Sequence, residues 1–386
     1  MTIDVDTITA AGLVPDRVAA LDQRVQREID EGLLPSCQYA IAKDGKVLVN
    51  KTYGDATDDT RYCIFSSTKA FAVSAFWTLL GEGKVSVTDK VADILPGFGE
   101  NGKDNVTVDH VLLHTAGFPN GIMGAPHWST HSSRLNVYPR WKLDWEPGTR
   151  FMYHATSAHW VLSDIITAVT STDHRDFIRQ RVLEPIGLEK FALGIQPSEQ
   201  TNLAEVVYVG ENMTPDEMEA AFGIREIPAP RGSLASMGDF GTTLNESASR
   251  EVGIAGGGGF STASDVALFY QELLHNSKGI WDDEVLLDGK ARVFNNLPDP
   301  MFRTPASRAR GLVIAGDDGQ ANLRGFGKTF SPRTFGHGGA GGQIAVADPE
   351  TGISFSYLTN GHDRHMVRQA RRGVAIASHA GMVTRD

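Results

Sequence analysis

The sequence predicts an α/β chain of the α+β kind, with a central antiparallel sheet flanked by helices and a mainly helical region inserted into it. Two observations point there. Alternating or continuously apolar stretches gather at the two ends of the chain, at residues 37–42 and 46–53 and again between 311 and 360. The middle instead repeats apolar residues at spacings of three and four. No internal repeat, low-complexity tract or linker is visible. The expected division is a discontinuous sheet domain of residues 1–65 and 253–386 and a helical and loop domain of residues 66–252, with the functional site at their junction.

In chain order, residues 15–32 place Val18, Leu21, Val25 and Ile29 on one stripe of an amphipathic helix. Asp44-Gly45, between two extended runs, signals a tight hairpin. Over residues 68–80, Phe71, Ala72, Ala75, Phe76, Leu79 and Leu80 recur at helical spacing until Gly81 and Gly83 stop them. A short capped helix starts at Thr107 and ends at Gly117. Residues 118–150, rich in Pro, Gly, His and aromatic side chains, read as a binding loop. The turn Glu146-Pro147-Gly148-Thr149 then delivers Arg150-Phe151-Met152-Tyr153. Helices are expected over 159–169 and 173–183, the second ended by Pro185 and Gly187, and surface excursions over 202–249. Residues 256–262 read as a glycine-rich loop before a capped helix over 263–274. Strands over 311–315, 333–336, 342–347 and 353–360 follow, the last two joined by a turn at 348–352. A final helix over 364–379 carries the cluster Arg364 to Arg372, read as its solvated face.

Charged residues at 22% and hydrophobic ones at 41% are ordinary for a globular chain able to bury a sizeable core. The net charge of -11 argues against nucleic acid or an anionic membrane as partner, since both reward clustered Lys and Arg. Cys37 and Cys63 are the only cysteines, so neither a disulfide framework nor a thiolate metal site is indicated, and a bond between the two stays open. The start Met1-Thr2-Ile3-Asp4-Val5-Asp6 is acidic where a secretory signal needs a basic segment, and no stretch reaches the length of a membrane span. The expected compartment is the cytoplasm.

Ser66 and Lys69 stand three apart at the start of the helix expected over 68–80. That spacing turns the amine back toward the hydroxyl and puts the hydroxyl in the positive field of the first turn. A serine can become a nucleophile in this way without histidine. An N-cap serine followed by a surface lysine has the same spacing, so further motifs must decide. In penicillin-recognising enzymes S-x-x-K is accompanied by an S-D-N element and a K-T-G strand element. Tyr153-His154-Ala155 and His337-Gly338-Gly339 occupy those places in the correct order. Leu112-Leu113-His114-Thr115-Ala116-Gly117-Phe118, Glu146-Pro147-Gly148-Thr149-Arg150-Phe151-Met152-Tyr153, Gly259-Phe260-Ser261-Thr262-Ala263-Ser264-Asp265 and the ending Ala340-Gly341-Gly342 extend the pattern over most of the chain. The chain resembles the serine β-lactamase-like family, which includes class C β-lactamases, D-alanyl-D-alanine carboxypeptidases and family VIII esterases, and is closest in character to the last.

The resemblance implies the β-lactamase/transpeptidase-like fold and an acyl-enzyme formed on Ser66, with Lys69 and Tyr153 sharing the proton work. Their ordinary pKa values, about 10.4 and about 10, must fall by roughly two or three units for either to act as base at neutral pH. The sequence does not choose between them. The backbone amides of Ser66 and Ala340 would form the oxyanion hole. His337, Gly338 and Gly339 would line the substrate, the glycines letting it approach the strand closely.

Two departures bear on the substrate. Ala155 stands where lactamases have the asparagine of Tyr-x-Asn, and His337 stands where they have a lysine, a permanent anchor for a carboxylate. Both weaken the case for a β-lactam or D-alanyl peptide. Trp128, Tyr138, Trp141, Trp145 and Phe151 are either core or an apolar wall for an acyl or alcohol group, Trp128 and Trp145 being the members expected to face it. The pairs His110/His114 and His127/His131 have helical metal spacing, but no H-E-x-x-H or ligand cluster supports a metal. Neither a phosphate loop nor a G-x-S-x-G elbow is present. The expectation is a carboxylesterase on a small-molecule ester or acyl substrate, without metal or organic cofactor and with oligomeric state open. An acyltransferase, a D-amino-acid peptidase or amidase, a weak β-lactamase and a silent binding protein of the same fold are the alternatives.

Overall fold

The computed structural model describes residues 4–223, 225–226 and 240–385, so part of the excursion expected over 202–249 lies outside the described residues. Six strands form the main sheet: β1 (Ser36–Lys43), β2 (Lys46–Gly54), β3 (Val313–Ile314), β4 (Phe335–Gly336), β5 (Ile344–Asp348) and β6 (Ile353–Thr359). Their order is β2-β1-β6-β5-β4-β3, antiparallel throughout. β1 and β2 turn through Asp44 and Gly45 at φ of 50° and 72°, the two positive values that a tight hairpin of matching twist requires. β1 also pairs with β6, Tyr39 opposite Tyr357 and Ile41 opposite Phe355, so the sheet joins the two ends of the chain.

The five longest helices among the described residues are α1 (Pro15–Asp30), α2 (Thr68–Gly81), α3 (Ser157–Thr170), α4 (Ala263–His275) and α5 (Met366–Ala380). Strand side chains alternate between faces. Cys37, Tyr39, Ile41, Val346, Phe355 and Tyr357 pack beneath α1 and α5 with Val18, Leu21, Val25 and Ile376. Ala40, Ala42, Ala345 and Ala347 look the other way, toward α4, and their small size lets that helix sit close. Ser354 Oγ donates to the Ala267 carbonyl at 2.7 Å and Gln271 Nε2 to the Ala42 carbonyl at 3.0 Å, stitching α4 to the sheet.

α2 carries the core onward. Every residue from Thr68 to Leu79 is buried, which is why its apolar residues surround the helix and do not form a single stripe. Phe71 stacks between Phe191 at 4.1 Å and Phe269 of α4 at 3.9 Å, tying the helical region to the layer above the sheet.

Several expectations are corrected. Residues 256–262 are not all loop: Gly259–Ser261 is a strand paired with Tyr62–Cys63 on one side and Ala192–Leu193 on the other, long-range pairing that local sequence does not announce. The helix over 173–183 is α only at His174–Ile178 and widens to a π-turn at Arg179–Leu183. Pro185 has no N–H for the Arg181 carbonyl, and a wider turn accommodates its ring. The basic cluster is only partly solvated: Arg372 is 4% exposed, ion-paired to Glu28 at 2.5 Å and Asp363 at 2.9 Å. Cys37 and Cys63 are both buried and free.

Candidate active site

Ser66, the expected nucleophile, sits on a strained turn. Tyr62–Cys63 is held extended by Gly259–Ser261, and Phe65 then takes φ 44°. That left-handed conformation costs a bulky side chain on the order of 1 kcal/mol or more. The turn Phe65–Ser67 is a 3-10 segment and α2 begins at Thr68, the start expected from the sequence, so Ser66 lies just ahead of the helix. Lys69 does lie in that first turn, and it is no surface lysine. It is 0% exposed, and its Nζ is 3.1 Å from Ser66 Oγ and hydrogen-bonded to the Gly256 carbonyl. A carbonyl can only accept, so the amine spends a hydrogen on Gly256 and, when neutral, is free to direct its lone pair at the serine hydroxyl. Burial, reinforced by the positive charge of Arg308, holds Lys69 well below the usual amine range.

Tyr153 is aimed by two histidines. His114, at φ 57°, accepts from the His154 amide through Nδ1 at 3.0 Å, and His154 Nε2 accepts from the Phe118 amide at 3.2 Å. These bonds clasp the segment around Tyr153 onto the loop 112–118. The Tyr153 ring centroid lies 5.0 Å from Lys69 Nζ and 5.2 Å from the guanidinium carbon of Arg308. Its hydroxyl is buried without a hydrogen bond, although Ser66 is near enough to favour the phenolate. Burial pushes the phenol up to about 12 against the opposing effects of Ser66 and Arg308.

The third motif closes against the nucleophile turn. Strand β4 ends at Gly336, and the glycine run forms a turn in which the Gly339 amide donates to the Gln343 carbonyl at 3.0 Å. A Cβ on Gly339 would lie 2.3 Å from the Ile64 carbonyl, so only glycine allows this approach. Ala340, where the second oxyanion donor is expected, opens the 3-10 turn that follows. His337 is buried, with Nδ1 2.9 Å from the Gly338 carbonyl and Nε2 unpartnered. Burial keeps it neutral, so it offers no cation to a substrate.

Of the aromatic wall, Tyr138, Trp141 and Phe151 are core. Trp145 donates to the Thr115 carbonyl at 3.3 Å and its ring meets His154, while Trp128 is half-buried against the helical core. Among the described residues neither makes a hydrogen bond or ring contact with Ser66, Lys69 or Tyr153. His110 is spent in the cap of a short helix and His131 on Asp164 at 2.7 Å. Among the described residues no group of three His, Cys, Asp or Glu is placed to hold a metal.

Two groups placed beside Lys69 and Tyr153 escaped the sequence. Gly256 supplies the carbonyl that orients Lys69, and no side chain marks it; its own Cβ would crowd Thr156 Cα at 3.1 Å and the Ala155 carbonyl at 3.2 Å. Arg308 reaches the site from a segment with no motif.

A buried amine bonded to a serine hydroxyl and a carbonyl can activate a serine without histidine, and the chain is a serine hydrolase. The Beta-lactamase family model matches residues 21–379, and the chain belongs to that family. It is 26% identical, over 91% of its length and 83% of the other, to a protein of Escherichia coli K12 provisionally named D-alanyl-D-alanine carboxypeptidase. Its fold matches a penicillin-binding protein homologue from Caulobacter crescentus with TM-score 0.76 at 24% identity, covering 96% of this chain and 98% of that one. A family VIII carboxylesterase matches with TM-score 0.72 at 21% identity, covering 95% and 97%. At these identities the structures speak for the fold. No helix among the described residues is long and apolar enough to cross a membrane.

Proposed function

We propose that the chain is a carboxylesterase that forms an acyl-enzyme on Ser66 with neutral Lys69 as general base. The observation that carries this is the buried Nζ of Lys69, 3.1 Å from Ser66 Oγ and held well below the usual amine range while Tyr153 is pushed up to about 12. Of the two groups able to take the serine proton, the amine is the one prepared to do so at neutral pH.

Ser66 Oγ bonds to the substrate carbonyl carbon as its proton passes to Lys69 Nζ. The amides of Ser66 and Ala340 receive the developing oxyanion. Collapse breaks the ester C–O bond; the departing alkoxide takes the Tyr153 proton, and Lys69 returns its proton to the phenol. Water then attacks the acyl-serine by the same relay in reverse, releasing acid and regenerating the hydroxyl. Ala155 and neutral His337 favour an ester over a β-lactam or D-alanyl peptide.

The test is intact-protein mass with nitrophenolate release after mixing with p-nitrophenyl butyrate, with Ser66→Ala alongside. An acyl increment or turnover that disappears in Ser66→Ala is expected. Turnover of nitrocefin with inert short-chain esters would sink the esterase reading.

A further inference from the structure

The two turns that carry the expected oxyanion donors, Phe65–Ser67 and Ala340–Gly342, both bear on the ring of one histidine. His362 lies in the strand Gly361–Asp363, which pairs in parallel with Val207–Val209. Its ring centroid is 4.6 Å from that of Phe65, the residue ahead of Ser66 that takes φ 44°. The Cδ2–Nε2 edge of the same ring lies against Gly341. A Cβ on Gly341 would come within 2.2 Å of both atoms, and its φ is 80°, so only glycine lets the ring occupy that place.

The ring is held from outside the site. Asp363, next in the chain, accepts from Arg368 at 2.6 Å and from Arg372 at 2.9 Å, and the Gly361 amide donates to Thr359 Oγ1 at 3.2 Å, at the end of β6. Tyr208, on the paired strand, meets the ring edge-on at 5.8 Å. Burial lowers the imidazole to about 4, although the Ala340 carbonyl favours its protonated form, so the ring is neutral at ordinary pH. Nε2 is sealed without a hydrogen bond among the described residues. What the ring offers the two turns is therefore its thickness and flatness.

We propose that His362 is a positioning residue of the oxyanion hole, a spacer whose ring sets the separation between the turn bearing the Ser66 amide and the turn bearing the Ala340 amide. This rests on the serine-hydrolase reading of the site and on those two amides as its donors. Both must converge on one oxygen at about 2.7–3.1 Å, so a small shift of either turn weakens the pair. Ahead of Ser66, Gly339 against the Ile64 carbonyl and Gln343 Nε2, 3.3 Å from the Cys63 carbonyl, fix how near the two segments come. On the side of Phe65 and Gly341 the ring of His362 fixes it. The same contact packs Phe65, whose left-handed conformation persists only where its surroundings hold it.

The test is the rate at which a fluorophosphonate labels Ser66, read by intact-protein mass across pH, because the phosphonyl oxygen draws on the same donors and no ester need be turned over. His362→Ala is expected to lower the limiting rate roughly tenfold to a hundredfold, short of the loss of a whole donor. The pH of half-maximal labelling, set by Lys69, should stay in place. His362→Phe, which restores a flat ring, should recover most of the rate. His362→Leu fills the space without a flat ring, should recover less, and serves in place of His362→Ala if that variant fails to fold. Labelling of His362→Ala or His362→Leu at the wild-type rate, a half-maximal pH that shifts along with the rate, or His362→Phe no faster than His362→Leu would each overturn the inference and leave the hydrolase. Wild-type protein that takes no label at Ser66 would remove the serine-hydrolase reading, and the inference with it.

Discussion

The Nζ of Lys69 lies 3.1 Å from the Oγ of Ser66, and among the described residues no carboxylate pairs with that amine. Burial and Arg308 both disfavour its charged form. The amine's cation is thus destabilised in the resting site, as the base role proposed for Lys69 requires.

The rate should report that amine. kcat/KM is expected to rise with pH along a single acid limb as Lys69 deprotonates, with no falling limb until the region of about 12 where Tyr153 ionises. Lys69→Met and Lys69→Arg should each lower kcat/KM by roughly 10²–10⁴, since neither side chain can accept the proton. A falling limb near neutral pH would contradict the assignment.

Stability should respond to Lys69 with the opposite sign to a salt bridge. Its pKa in the folded protein is below 10.5, so between that lowered value and 10.5 the unfolded chain holds a proton that the native one lacks. Stability contributed through this group therefore increases as pH rises across the window. Urea unfolding should find Lys69→Met more stable than wild type, by a margin that shrinks as pH approaches 10.

Tyr153→Phe separates chemistry from packing. The hydroxyl makes no hydrogen bond, so its removal should leave the Tm nearly unchanged or slightly raised. Proton delivery should suffer, with kcat falling roughly 10²-fold while the acid limb of Lys69 stays in place.

Buried histidines set the acid limit. Burial lowers His154 and His174 to about 4 from 6.5. Between those values the unfolded chain binds protons that the native one refuses, so stability is lost as pH falls, by roughly 1 kcal/mol per pH unit for each. Urea midpoints should drop steeply from pH 6.5 to 4.5. His174→Gln, away from the catalytic cluster, should flatten that slope.

Arg372→Ala removes the buried link between Glu28 and Asp363 but leaves Glu28 with Arg24 and Asp363 with Arg368, and should cost about 1.5–3 kcal/mol in urea unfolding. The exposed neighbour changed in Arg371→Ala should move stability by no more than about 0.5 kcal/mol.

Much of this molecule is local and can be read from the chain. Asp44-Gly45 makes its hairpin because two adjacent residues meet the demand for positive φ. α1 follows from an apolar stripe within four turns. Ser66 and Lys69 meet because three residues of helical chain bring them together, and the His114 loop and the Tyr153 segment were recognisable by their motifs. The strand Gly259–Ser261 was missed because its partners are distant in sequence and its glycines resemble a loop. Arg372 was taken for a surface residue because its acids lie on other elements.

The sequence by itself singled out Ser66, Lys69 and Tyr153 as a candidate set, since their spacing and order are properties of the chain. Only the tertiary structure shows that burial disfavours the charged form of Lys69 and raises the Tyr153 phenol, that the Gly256 carbonyl bonds the Lys69 amine, and that Arg308 has Nε and Nη1 unpartnered beside them. A pKa and a counter-charge depend on burial and on neighbours delivered by remote segments, and these exist only once the chain has closed on itself.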